Sequence, residues 1–187
     1  MDDRFTQAFA AAPRADFLTA QQRHNAHIDA PLPIGHGATN SQPSTVLLML
    51  RLLDPHPGDR VLDVGSGSGW TSALLGELVG PTGSVTGVDI VPALVAVGRA
   101  NLDDRWPWVR IRLARRDVMG WPDGAPYDRI LVSADGGSVP RALEDQLAPG
   151  GRMVLPAAQE MTIVERSTDG TLARRHAPGL FSFVRLR

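Results

Sequence analysis

No cysteine occurs among the 187 residues, which removes disulfides, thiolate metal sites and cysteine nucleophiles together. Lysine is missing as well, so all 19 basic residues are arginine. Its absence excludes lysine Schiff-base chemistry and the lysine of a phosphate-binding P-loop. No apolar run approaches the roughly 18 residues of a membrane-spanning helix. The start, Met1-Asp2-Asp3-Arg4, lacks the basic head and apolar run of a signal peptide, and a cytoplasmic protein is expected. Excess charge is lacking too. The net value of -1 gives no electrostatic reason to expect nucleic acid or a membrane surface as partner. What is present is an ordinary globular balance, 43% hydrophobic residues with a mean hydropathy of -0.09. The length suits a single domain over 1–187: an N-terminal part over 1–55, then a sheet over 56–187. A monomer is expected.

From Arg60 onward, short apolar runs alternate with helical patterns, the pattern of a parallel sheet with crossover helices. Strands are expected over 60–65, 84–89, 109–113, 127–132 and 152–156. Helices are expected over 71–79, 92–102 and 140–147. In the strand over 109–113, arginines should face out and Val109, Ile111 and Leu113 inward. Residues 161–166 and 171–175 flank Ser167-Thr-Asp-Gly170, a hairpin turn, and a last strand is expected over 181–186. Ahead of the sheet come a helix over 4–11, a Pro/Gly-rich loop over 30–37 and a helix over 43–53. The fold class is therefore α/β: a doubly wound, mostly parallel sheet with helices on both faces and an antiparallel C-terminal strand pair.

The most informative stretch is Val61-Leu-Asp-Val-Gly-Ser-Gly-Ser-Gly-Trp70, a strand entering a Gly-x-Gly-x-Gly turn and then a helix. Such a turn lets a ligand approach the backbone in the crevice where these sheets bind nucleotides. A P-loop is excluded for want of lysine. A dinucleotide fold prefers Gly-x-Gly-x-x-Gly, but Trp70 stands three residues beyond Gly67. S-adenosylmethionine fits best, because it is an adenosine without phosphates that carries cationic amino and sulfonium groups. Asp63, just ahead of the glycines, suits an α-amino group better than a phosphate. Asp89 ends the second strand roughly 20 residues past the glycines, where a carboxylate can accept ribose hydroxyls, and Ile90 follows it at the cofactor's edge.

The run Pro31-Leu-Pro-Ile-Gly-His-Gly-Ala-Thr-Asn-Ser-Gln-Pro43 resembles the loop of protein-L-isoaspartate O-methyltransferases, in which Leu-Pro-Ile-Gly is followed by Thr-Ile-Ser. The likeness extends through the glycine motif, Ala12-Pro-Arg-Ala-Asp-Phe17, Ala125-Pro-Tyr-Asp128, Leu147-Ala-Pro-Gly-Gly-Arg152 and Leu155-Pro156, and so covers most of the chain. It implies a Rossmann-like methyltransferase that uses S-adenosyl-L-methionine, with a damaged protein or peptide bearing isoaspartate as partner. By the same resemblance Ser41 matches the active-site serine, with a helix N-cap as its other reading. Thr39 lies in the turn facing cofactor and acceptor. Gly65, Ser66 and Gly67 form the cofactor turn, Asp89 matches the ribose-binding acid, and Asp117 matches an acid at the adenine end, where Val118 replaces the usual Gly. No metal is implied.

The chain departs from the family pattern at Asn40, which replaces the Ile between Thr and Ser. It departs again at Asp135 in Ser133-Ala-Asp-Gly-Gly-Ser138, and in the short segment 157–160. These positions bear on the acceptor, so a methyltransferase of the same fold acting on another carboxylate, a small molecule or a specific peptide aspartate, is the alternative. Otherwise the sequence is poor in catalytic motifs. Its five histidines are scattered, and Arg110, Arg112, Arg115 and Arg116 read as a solvated strand face. Carboxylate methylation fits that poverty, because an aspartyl-type carboxyl with a pKa near 4 is already an anion at neutral pH and needs no base.

Overall fold

The computed structural model describes residues 3–179 and 181–185. The strands β1 (Leu32–Gly35) and β2 (Ala38–Asn40) pair as a small antiparallel hairpin. Seven more follow: β3 (Arg60–Val64), β4 (Ser84–Asp89), β5 (Val109–Leu113), β6 (Tyr127–Val132), β7 (Leu147–Ala157), β8 (Glu160–Arg166) and β9 (Leu172–Ala177). They form one sheet in the order β5-β4-β3-β6-β7-β8-β9. The pairs from β5 to β7 are parallel, and β8 and β9 are added antiparallel. The chain enters the sheet at β3, builds outward through β4 and β5, then returns to lay β6 against the other side of β3. That reversal leaves a crevice at the carboxyl ends of β3 and β6, the place where open α/β sheets bind ligands.

Strand alternation sorts the apolar side chains into two cores. Val61, Val85, Val109, Ile111, Leu131, Val154 and Ile163 face one layer with the helices α1 (Arg4–Ala11), α2 (Pro43–Leu53), α3 (Trp70–Val79) and α4 (Pro92–Leu102). Leu62, Val64, Val88, Ile130, Val132, Met153 and Leu155 face the other, which is covered by Leu143 of the four-residue helix α5 (Arg141–Glu144), by Tyr127 and by Met119 and Trp121 of the preceding loop. Each such side chain, fully buried, contributes about 1.5–3 kcal/mol. In α3 every residue except Glu77 is buried, because α1 packs on its outer side while the sheet takes its inner one. Its sequence is accordingly apolar nearly all round.

Several expectations need correction. The helix expected over 140–147 spans only Arg141–Glu144, since Leu147 already pairs with Tyr127 in the ladder. β7 then runs unbroken to Ala157, taking Pro149, Gly150 and Gly151 into an irregularity between the Tyr127 and Arg129 pairings. Leu113 does not face inward but is 45% exposed, because β5 is the sheet edge and ends there. The Pro/Gly-rich loop contains the β1–β2 hairpin, whose Leu32 and Ile34 are buried while Pro33 and Gly35 are exposed. No strand forms over 181–185, and Leu186 lies outside the described residues. The tail instead crosses the carboxyl end of the sheet. There the Phe181 amide donates to the Gln159 carbonyl, the Asp135 amide donates to the Val184 carbonyl, both at 2.8 Å, and Arg185 makes a lone bridge to Asp135. The outer edge of β9 keeps exposed Arg174, Arg175 and His176, a charged edge that discourages further pairing.

Candidate active site

The glycine turn is built by the sheet itself. As β3 ends, the amides of Gly65 and Ser66 both donate to the Val88 carbonyl of β4, at 2.8 and 3.0 Å. The Gly67 amide donates to Asp89 Oδ2 at 2.9 Å, and the Val91 amide to Oδ1 at 2.9 Å. Gly67 has φ +52°, and a Cβ there would stand 3.2 Å from Ile34 of the β1–β2 hairpin. Gly69 has φ +90°, and its Cβ would meet Ile111 at 3.0 Å and the Gly98 carbonyl at 3.2 Å. Only glycine suits both positions. Asp89, 9% exposed, therefore fixes the turn with one lone pair of each oxygen, and a carboxylate has others to offer.

Above this turn lies a cavity of about 380 Å³, within the ordinary range for small-molecule sites. Three parts of the chain wall it. The first is the glycine turn with Gly65, Ser66 and Gly67, together with Asp89 and Ile90 at the end of β4. The second is the loop after β5 with Asp117 and Val118. The third is the hairpin and its exit, with Thr39, Asn40 and Ser41. Ser133 and Ala134 at the end of β6, with Val184 and Arg185 of the tail, complete it.

Nine of the ten expected site residues thus share one cavity, and Asp63 does not. It is fully buried because strand alternation turns its side chain toward α3. There Oδ2 accepts from the Thr71 hydroxyl at 2.7 Å and the Ser72 hydroxyl at 2.6 Å. Burial pushes its pKa up to about 6, a rise the two hydroxyls oppose and the charge of Asp89 assists. Thr71 lines the cavity, so the acid reaches the ligand space only through that hydroxyl, not by the direct contact its position in the motif suggests. Its Oδ1 and the Ser66 Oγ are buried without a hydrogen-bond partner among the described residues. Unpartnered buried polar atoms are costly; of the two residues only Ser66 lines the cavity, where its hydroxyl suits a polar group of a ligand.

Ser41 follows β2 and precedes α2. It is not the N-cap of that helix: Gln42 holds the position and makes no side-chain capping bond. The cap comes from elsewhere. Asp29 Oδ1 accepts from the Ser44 amide at 2.9 Å, and Oδ2 accepts from the Gln42 side chain at 3.1 Å. Those bonds, the backbone one first, lower the Asp29 pKa. The Ser41 hydroxyl consequently has no hydrogen-bond partner among the described residues and borders the cavity. Asp135 is not among the residues that line it, and its Oδ1 accepts from the Gly137 amide of its own loop at 2.7 Å. The segment 157–160 is the tight turn between β7 and β8, with Ala158 and Gln159 at φ 52° and 68°. Arg112 and Arg115 stack on the Trp121 ring at 5.1 and 5.3 Å.

One contributor escaped the sequence reading. Arg14, 6% exposed, donates to the carbonyls of Ile28, Ala30, Asn40 and Ser41 and to the Asn40 side chain. Burial lowers its pKa, and the charge of Asp29 works against that lowering. Its only signal in the sequence is its place in Ala12-Pro-Arg-Ala-Asp-Phe17.

The family model described as protein-L-isoaspartate(D-aspartate) O-methyltransferase matches residues 1–186. A Methanopyrus kandleri protein named protein-L-isoaspartate O-methyltransferase is 43% identical over 185 residues, covering 95% of this chain and 80% of that protein. One of the same name from Anaeromyxobacter dehalogenans is 46% identical over 175 residues, covering 90% and 82%. In fold the chain is similar to a Plasmodium falciparum protein described as a protein-L-isoaspartate O-methyltransferase, crystallised with S-adenosyl-L-homocysteine. The TM-score is 0.84 at 24% identity, covering 100% of this chain and 91% of that one. The chain belongs to the protein-L-isoaspartate(D-aspartate) O-methyltransferase family.

Proposed function

We propose that this protein transfers a methyl group from S-adenosylmethionine to the free carboxylate of L-isoaspartyl residues in damaged proteins or peptides. One observation carries the reading. The glycine turn with Asp89 and the hairpin exit with Ser41 line the same cavity, so a nucleoside cofactor and a second reactant can meet there.

In this reading the spare lone pairs of Asp89 accept the ribose hydroxyls, and Asp117 and Val118 flank the adenine. Ser66 and the turn between Gly65 and Gly67 receive the polar end, with Asp63 acting through Thr71. When bound, S-adenosylmethionine supplies a methyl group on a positively charged sulfur. The acceptor carboxylate is already ionised at neutral pH, so the chain needs no general base. Its work is alignment: the Ser41 hydroxyl donates to one acceptor oxygen and turns the other toward the methyl, while the walls hold the two reactants in line and exclude water. The freedom of the Ser41 hydroxyl from any capping bond supports this role.

The test is transfer of labelled methyl from S-adenosylmethionine to an isoaspartyl peptide, with its normal aspartyl twin as control. Label in the isoaspartyl peptide alone is expected. Label in both peptides, or only in a small carboxylic acid, would move the acceptor elsewhere while leaving the cofactor half intact.

A further inference from the structure

Asn40 is the side chain that ties the two halves of the cavity together. It is 4% exposed. Its Oδ1 accepts from Arg14 Nε at 2.8 Å, and its Nδ2 donates to the Ser68 hydroxyl of the glycine turn at 3.4 Å. Arg14 holds the Ser41 carbonyl at 3.0 Å with the same guanidinium, which lies 5.5 Å from the ring centroid of Trp70, the first residue of α3. Ser68 is anchored in turn, its carbonyl accepting from Asn101 Nδ2 of α4 at 2.9 Å. A continuous polar path therefore runs from Ser41 through Arg14 and Asn40 to the cofactor turn. Among the described residues no other hydrogen bond joins 28–42 to 65–69.

The path depends on the amide. An isoleucine at position 40 would make neither bond and would leave the buried Arg14 Nε without its acceptor, a costly vacancy. Arg14 has no simple substitute either, since its planar fork serves several acceptors at once and a lysine's ammonium cannot.

We propose that Asn40, held by Arg14, is a positioning residue that fixes the separation between the Ser41 loop and the glycine turn. The proposal rests on the role given above to Ser41. A displacement of about 1 Å at a reacting group can cost on the order of 100-fold in rate, and a bond across the cavity wall restrains such a displacement directly.

The experiment compares Asn40→Leu, Ser68→Ala and the double variant. It measures kcat and KM for an isoaspartyl peptide, cofactor affinity by calorimetry, and hydrogen exchange of the amides in 38–42 without cofactor. Asn40→Leu should lower kcat by about 10- to 100-fold with cofactor affinity unchanged and faster exchange in 38–42. Ser68→Ala, which leaves the Arg14 bond intact, should change the same quantities in the same direction by less. The double variant should be no slower than Asn40→Leu, the signature of a shared interaction. Unchanged kcat, losses that multiply, or a silent Ser68→Ala beside an unstable Asn40→Leu would each overturn the proposal. If the wild type fails to methylate the peptide, the functional reading falls, but faster exchange in 38–42 of Ser68→Ala still tests the link.

Discussion

The two walls of the cavity are built by different means. On the cofactor side, the turn from Gly65 to Gly69 is held by the Val88 carbonyl and the Asp89 carboxylate, groups of the neighbouring strand that the parallel ladder brings alongside. On the acceptor side, the hairpin and Ser41 are held by two side chains remote in sequence. Arg14 grips the carbonyls from Ile28 to Ser41, and Asp29 caps α2. One wall is held by groups of the adjacent strand and the other by side chains from outside the sheet, so substitutions away from the Asn40 link should damage them separately.

The largest effect is expected on the cofactor wall. Asp89→Ala removes the acceptor for two backbone amides and for the ribose, so cofactor affinity should fall by roughly 100-fold or more, each bond to a charged group being worth about 1.5–3 kcal/mol. Calorimetric titration with S-adenosylmethionine measures it. Ser41→Ala breaks the other wall: kcat for the isoaspartyl peptide should drop roughly 10- to 1000-fold, the range of single positioning donors, with cofactor affinity intact. Steady-state kinetics beside calorimetry separate the two.

Asp63 tests the buried base of the cofactor wall through pH. Its pKa rises in the folded protein from 3.8 to about 6, so between those values the native state binds more protons than the unfolded one. The stability contributed by protonated Asp63 is full below about pH 4 and is lost as pH rises through about 6. In Asp63→Asn that part of the pH dependence should vanish from thermal melts of the cofactor-free protein, and an identical profile would refute the assignment. The smallest effect is expected from Asp29→Ala, which removes the remote cap of α2. The melting temperature should drop slightly and kcat for the isoaspartyl peptide should fall less than in Ser41→Ala. A fall equal to that of Ser41→Ala would mean that Asp29 holds the serine as firmly as the hydroxyl acts.

The same contrast explains what the sequence made legible. Strands β3 to β6, helices α1 to α4 and the β8–β9 hairpin follow from apolar periodicity and turn residues, which are local. The glycine turn and Asp89 follow from spacing along adjacent strands. The hairpin in the Pro/Gly-rich stretch was hidden because its short strands hold only Leu32 and Ile34 as buried apolar residues. The shortening of α5 depends on Tyr127 pairing with Leu147, and the path of the tail on the Asp135 amide donating to the Val184 carbonyl, both contacts across distant segments. Asp63 was placed correctly in β3, but what its side chain meets depends on α3, whose Thr71 and Ser72 hydroxyls bind it. Arg14 and Asp29 act over long sequence distances, and no local pattern marks either one.

A crystal structure with S-adenosyl-L-homocysteine bound tests the division of the cavity most directly. The ribose hydroxyls should lie within hydrogen-bond reach of Asp89, the adenine beside Asp117 and Val118, and the sulfur facing Ser41 across the cavity. A ribose remote from Asp89, or a sulfur turned away from Ser41, would contradict the account.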